Sequence, residues 1–488
     1  MTKNVSRLFY AGSLILSLAA TPLSQAAEPY TADWDSLRKH PPVPEWLRDA
    51  KLGFYATWGV YCVPAFGNEW YPSYMFAKEG KNNKLGVYAH HQKTYGDPSK
   101  FGYHDFVPMF TAEKFNADEW ADLYQKSGAK FGGTVTEHHD GFSLWASKVN
   151  PWNAKDMGPQ RDIIGELEKA IRARGMKFIV TMHHARMYGM REGRVYWTKA
   201  PGWPTSSDDP KLRILYGNMP KEEGIKLWRS KLDEVLDAYR PDMTWFDIDL
   251  ELVPDQDKRE FIASYFNKAQ GWGKEVLVTY KLTQLPPGIG LLDYENGRAS
   301  KLMAEPWLTD DTIGVVKSVW SYVPDMKIKS TQALVHELID IVSKNGQLLL
   351  NMSPRADGSI PDDQRASMLG LGRWLAKYGE AIYYTRPWLI YGEGKKSAAG
   401  FPANDNEIRY TAHANKIYAS LLNGKLNGER LVLHAFAEGG AGAACKITDV
   451  KLMGSDAKIA WTRTPDGLEI TLPSPLPDPD ANVLVLTK

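Results

Sequence analysis

From Lys51 to about Tyr378, short β-branched or aromatic runs alternate with helical periods, and this alternation limits the fold more than any other feature of the chain. The runs include FYATW (54–58), GTVT (133–136), FIVT (178–181), MTWF (243–246), VLVT (276–279) and LLL (348–350). Between them lie amphipathic helices. One places Ile163, Leu167, Ala170 and Ile171 on a single face and stops at Gly175; another groups Leu232, Val235, Leu236 and Tyr239 and stops before Pro241. Strand and helix in strict succession imply a parallel sheet, because each strand must be carried back across the fold before the next can begin. At this length the pattern predicts an α/β fold of the (β/α)8-like, TIM-type kind, with a doubly wound open sheet as the competitor.

After the Gly- and Ser-containing stretch at 391–400 the helical periods end. Strands alone follow at 408–410, 416–422, 431–436, 468–472 and 483–486, parted by turns such as Asn423-Gly424, Asn427-Gly428 and Asp466-Gly467. They predict a small antiparallel β-sandwich. At the other end, Lys3 and Arg7 precede an apolar stretch at 8–20 and the small-residue run Ser24-Gln25-Ala26-Ala27, the pattern of a secretory signal cleaved after Ala26. The run is too short for a membrane span. The expected organisation is therefore a leader over 1–26, a catalytic barrel over 27–390 and a sandwich over 391–488, in a protein exported to a periplasm or the medium.

Charge narrows the partners. The 488 residues carry 59 Lys+Arg against 58 Asp+Glu, so neither nucleic acid nor a membrane surface is expected as a partner. Cys62 and Cys445 are read as separate thiols. The unusual count is 17 tryptophans, more than core packing normally requires.

In a barrel the reactive residues project from the C-terminal strand ends, so the polar residues that close each run are the candidates. Trp245, Asp247 and Asp249 share one face by the period of two. Asp249 is read as a loop-capping or arginine-paired carboxylate, whereas Asp247, beside the strand and a tryptophan, suits contact with a substrate. His138-His139 and His183-His184 close two other runs; if the strand continued through them, only one of each pair would face inward. Together with Glu137, Asp140, Asp247 and Asp249 these histidines also supply ligand types for zinc. No HExxH, Walker A or GxGxxG pattern is present. In the loop after the first run, Glu69 lies among Trp58, Tyr61, Trp70 and Tyr71, where a sugar ring could stack on an indole while its hydroxyls bond a carboxylate. Glu295, in the run Asp293-Tyr294-Glu295-Asn296-Gly297-Arg298, reads on its own as a loop glutamate paired to Arg298.

At these residues the chain resembles the α-L-fucosidases of glycoside hydrolase family 29. The similar pieces run in order: Trp58-Gly59, Glu69-Trp70-Tyr71, His138-His139-Asp140-Gly141-Phe142, Trp245-Phe246-Asp247, Asp293-Tyr294-Glu295, Pro306-Trp307, Trp320-Ser321-Tyr322 and Ser343-Lys344-Asn345-Gly346. The resemblance implies a retaining exo-hydrolase without cofactor or metal, in which Asp247 is the nucleophile on a terminal L-fucose and Glu295 the acid/base. Arg298 next to Glu295 would oppose its protonation, so Glu305 is the second candidate for that role. The resemblance also assigns Thr57, Trp58, Glu69, Trp70, His138, His139 and Trp245 to substrate binding in a fucose pocket, with Trp320 facing the sugar's methyl group. Lys281 stands where many members have arginine, and His183 where they have tyrosine. Thr57 replaces the histidine that most members place before Trp-Gly, which opens the specificity to L-sugars related to fucose. A fucosylated oligosaccharide or glycoconjugate is the implied substrate. Two alternatives remain at this level: a metal-dependent hydrolase built on the His/Asp pairs, and a carbohydrate-binding homologue that has lost turnover.

Overall fold

The computed structural model describes residues 28–78, 85–188, 209–394, 406–422 and 430–488. The leader at 1–26 and the turns Asn423-Gly424 and Asn427-Gly428 lie outside the described residues. Eight parallel strands close a barrel: β1 (Leu52–Ala56), β2 (Phe131–Glu137), β3 (Lys177–Met182), β4 (Met243–Phe246), β5 (Leu277–Lys281), β6 (Leu291–Asp293), β7 (Trp307–Thr312) and β8 (Gly346–Met352). Closure is made by β8 against β1, which pair from Leu52↔Leu348 to Ala56↔Met352. The open-sheet alternative is thereby set aside. The short runs forecast six of these strands. β6 has only three residues, and β7 carries Asp310 and Asp311 in buried positions, so neither reads as an apolar run.

Each strand sorts its side chains by parity. Tyr55, Ile179, Met243, Trp245, Leu277, Leu291, Leu308 and Leu349 fill the barrel interior, while Phe54, Ala56, Phe178, Val180 and Phe246 face the surrounding helices. The helix Ile163–Ala173 buries Ile163, Leu167, Ala170 and Ile171 on that outer surface; Asp162 caps it through Gly165 N, and Gly175 ends it at φ 72°. The helix Lys221–Tyr239 likewise buries Leu232, Val235, Leu236 and Tyr239. No described helix is long and apolar enough to cross a membrane.

Eight further strands form two antiparallel sheets: β9 (Arg386–Glu393), β10 (Ile408–His413), β11 (Lys416–Leu421), β12 (Arg430–Leu433), β13 (Asp449–Leu452), β14 (Ala460–Thr464), β15 (Gly467–Thr471) and β16 (Asn482–Thr487). Their orders are β13-β16-β11-β10-β9 and β12-β15-β14, with Trp388, Ile408, Leu431, Phe436, Leu468 and Leu484 in the core between them. β9 pairs with β10, so the second domain takes in residues before 391, where the change of pattern had placed the boundary. The two units are bolted together: Arg409 pairs with Asp340 at 2.7 Å, and Trp374 Nε1 donates to Ala481 O at 3.0 Å.

Close strand contact requires glycine at Gly133, where a Cβ would lie 2.1 Å from the Ile179 carbonyl oxygen on β3. Gly133→Val should therefore destabilise the barrel by about 3 kcal/mol, read as a lowered thermal unfolding midpoint.

Candidate active site

Parity and parallel direction together build the site. On β4 to β7 the inward-facing positions end in polar residues: Asp247 follows Trp245 just beyond β4, Lys281 closes β5, Asp293 closes β6, and Asp310 follows Leu308 on β7. Because the strands are parallel, these ends meet at one mouth. There they border one concave cavity. Its lining includes Thr57, Glu69, Trp70, His138, His139, His183, Trp245, Asp247, Lys281, Glu295 and Trp320, so most of the residues predicted for the site come together.

Two do not. Trp58 has the parity of Phe54 and Ala56, and its indole packs outside the barrel against Phe110, Phe115 and Trp120 while Nε1 donates to Arg355 O. Glu305 is exposed and precedes β7, at the end of the barrel opposite the cavity. Topology thus removes it as an acid/base candidate for this cavity. The local reading of Glu295 is also corrected: Arg298 pairs with Glu337 at 3.3 Å, and the cation beside Glu295 is Lys281 at 3.0 Å.

Asp247 is held as a carboxylate. Burial alone would raise its pKa, but Lys281 Nζ at 3.1 Å from Oδ1 and a hydrogen bond from His139 Nε2 to Oδ2 at 2.9 Å outweigh it and keep it well below the usual range. That bond places the His139 proton on Nε2. His138 and His183 are both pushed toward the neutral imidazole by burial, His183 to about 3. The strands end at Glu137 and Met182, so the strict alternation stops there: both His138 and His139 reach the cavity. His184 turns away, with Nε2 3.1 Å from Trp228 O. Glu137 also leaves the site, pairing with Lys231 at 2.6 Å. Asp249 pairs with Arg186 at 2.8 Å. Among the described residues no group of three or more His, Cys, Asp or Glu is placed to hold a metal ion.

The aromatic walls are fixed by polar contacts. Trp245 Nε1 donates to Asp293 Oδ2 at 3.0 Å, and the Trp70 ring stacks on His139 with centroids 4.7 Å apart. Glu69 accepts from Trp320 N at 2.9 Å and Ser321 N at 3.3 Å, tying the loop after β1 to the loop after β7. Tyr55, Ile248 and Asp310 also line the cavity and were not anticipated. For Asp310 a signal existed, since the period of two from Leu308 points it inward; the strand was hidden because only Trp307 and Leu308 in it are apolar.

Burial pushes the Glu69 carboxyl up to about 7, against the backbone hydrogen bonds that favour its charge. A folded value above the unfolded one means that the stability this group supplies is complete below the unfolded pKa and is lost as pH rises through about 7. Wild type should therefore lose stability relative to Glu69→Gln between about pH 5 and about pH 8, measured as the difference in thermal midpoints.

Comparison with known proteins agrees with this architecture. The α-L-fucosidase family model matches residues 17–380, and that of the α-L-fucosidase C-terminal domain matches 402–487. Rat tissue α-L-fucosidase is 30% identical over 94% of this chain and 92% of its own length, and the mouse protein 31% over 94% and 95%. The crystal structure of Thermotoga maritima α-fucosidase in complex with fucose superposes with a TM-score of 0.75 at 30% identity, covering 94% of this chain and all of that one. With both domains matched and relatives this similar over nearly the whole chain, the chain belongs to the α-L-fucosidases of glycoside hydrolase family 29.

Proposed function

We propose that the protein is an exo-acting retaining hydrolase, exported by its leader, that releases a terminal α-L-fucose or a closely related L-sugar from a glycan. The observation that carries the mechanism is the bracketing of one ammonium by two carboxylates. Asp247 and Glu295 lie 3.1 and 3.0 Å from Lys281 Nζ, so those oxygens can be no further apart than about 6.1 Å. Inverting glycosidases need room for a water and space their carboxyl groups by roughly 6.5 to 9.5 Å, whereas retaining enzymes hold them closer. Asp247, deep and ionised, attacks the anomeric carbon. Glu295, whose side chain is 42% exposed, stands toward the mouth, where it protonates the departing oxygen and then activates water against the glycosyl-enzyme.

The substrate follows from the names of the relatives and from charge. Lys281, the lysine of the cavity lining, is already engaged by Asp247 and Glu295 and is not available to a sulfate or uronate group, which suits a neutral sugar. Thr57 lies in the cavity with its N donating to Asn351 Oδ1 at 2.6 Å, and its short side chain leaves a sugar substituent room that a histidine would fill. The metal-dependent alternative is not favoured, because the carboxylates converge on the Lys281 ammonium, in the space a divalent cation would need.

Asp247→Asn should lower kcat on an aryl α-L-fucoside by more than about 10³-fold, and azide should partly restore Asp247→Gly with formation of a fucosyl azide; wild-type turnover in Asp247→Asn refutes the assignment. Glu295→Gln should slow substrates with poor leaving groups by about 10² to 10⁴, and activated aryl glycosides far less. Comparing wild type with Thr57→His on a panel of aryl α-L-glycosides tests the specificity, and a mature N-terminus at Ala27 tests export.

A further inference from the structure

Below Asp247 and Glu295, the Lys281 ammonium meets two more carboxyl groups, Asp310 at 3.4 Å and Asp293 at 3.9 Å. Both are buried, and Asp310 N donates to Asp293 Oδ1 at 3.0 Å, which holds the two side by side. With Asp247 nearly as enclosed, one ammonium cannot balance three such anions, so the cluster must hold a proton. The surrounding donors decide which group carries it. Asp293 accepts from Trp245 Nε1 and from Asp310 N, both at 3.0 Å, and two fixed N–H donors favour its ionised form. Asp310 accepts only longer bonds, both at Oδ2, from the Tyr55 hydroxyl at 3.4 Å and from Lys281 Nζ at 3.5 Å, and its Oδ1 has no hydrogen-bond partner among the described residues.

We propose that Asp310 is a positioning residue: present as the neutral acid, it donates to Asp293 and so holds Lys281 at the height where its ammonium lies between Asp247 and Glu295. The inference rests on the roles proposed above for those two residues. The groups that face Asp310 are Tyr55 from β1, Asp247 beyond β4, Lys281 from β5, and Asp293 and Glu295 from β6 and the loop after it. Burial together with Asp293 raises the proton affinity of Asp310, in agreement with the hydrogen-bond pattern. If Asp310 were charged, two anions beneath Lys281 would draw the ammonium down, away from Asp247 and Glu295. Its neutral form leaves Asp293 as the single charged anchor.

The test compares the amide and the alanine at each position, since an amide keeps the donor of a neutral acid but cannot replace the charge of a carboxylate. Asp310→Ala should lower kcat/KM on an aryl α-L-fucoside by about tenfold or more, and Asp310→Asn should recover most of that loss; Asp293→Asn should recover little relative to Asp293→Ala. The infrared difference spectrum of wild type minus Asp310→Asn at pH 8 should show the carbonyl band of a protonated carboxylic acid. No recovery at 310, recovery at 293 instead, an Asp310→Asn protein that does not fold, or a missing band would each overturn the proposal. Full turnover in Asp247→Asn would count against the nucleophile assignment alone, because the infrared band and the amide rescue do not depend on it.

Discussion

The Lys281 ammonium is the contact on which the arrangement of the cavity depends. Four carboxyl groups, from the end of β4, from β6 and the loop after it, and from β7, lie within 3.9 Å of its nitrogen. Without that cation, Asp247, Asp293 and Asp310 would face one another at low dielectric, where like charges repel strongly and burial drives protons onto carboxylates. With it, the groups divide into different tasks. Asp247 is kept ionised, and the proton that the buried cluster must hold is confined to the layer beneath. The side chain is only 4% exposed, so solvent screens these interactions little.

A second constraint comes from direction. Parallel strands deliver all their C-terminal ends to one rim, and parity decides which side chain at each end looks inward. Asp247, Lys281, Asp293 and Asp310 meet for that reason, though 63 positions separate the first from the last. The same rule sends Trp58 to the helix layer and Glu305 to the far rim. Loops complete what the strands begin. Glu69 reaches across to the backbone of Trp320 and Ser321, so the wall after β7 is held by a carboxylate from the loop after β1.

The aromatic richness of the chain resolves into two uses. Trp70, Trp245 and Trp320 line the cavity, where flat apolar faces suit the carbon-bound hydrogens of a sugar. Trp58, Trp120, Trp145, Trp228 and Trp307 are fully buried packing residues. Cavity tryptophans are also anchored at their polar edges or by neighbours: Trp245 through Asp293, and Trp70 through His139. Composition alone could not separate the two uses, because both bury an indole.

Much of this was legible from the chain alone. The alternation of runs and helical periods determined the barrel, the loss of helical period after residue 391 determined the second, antiparallel domain, and the polar residues closing each run marked most of the cavity. These are local patterns, set by side-chain period and turn chemistry. Other features were decided by tertiary structure. The three-residue strand β6 and the acidic strand β7 are strands because their neighbours pair with them, not through any propensity of their own. Asp310 enters the site through β7, and Arg298 is drawn off by Glu337 on a helix outside the barrel. Which cation stands beside Glu295, which indoles face a sugar and which carboxyl group holds a proton depend on distances between distant segments. Spacing along the chain does not encode those distances; closure of the barrel does.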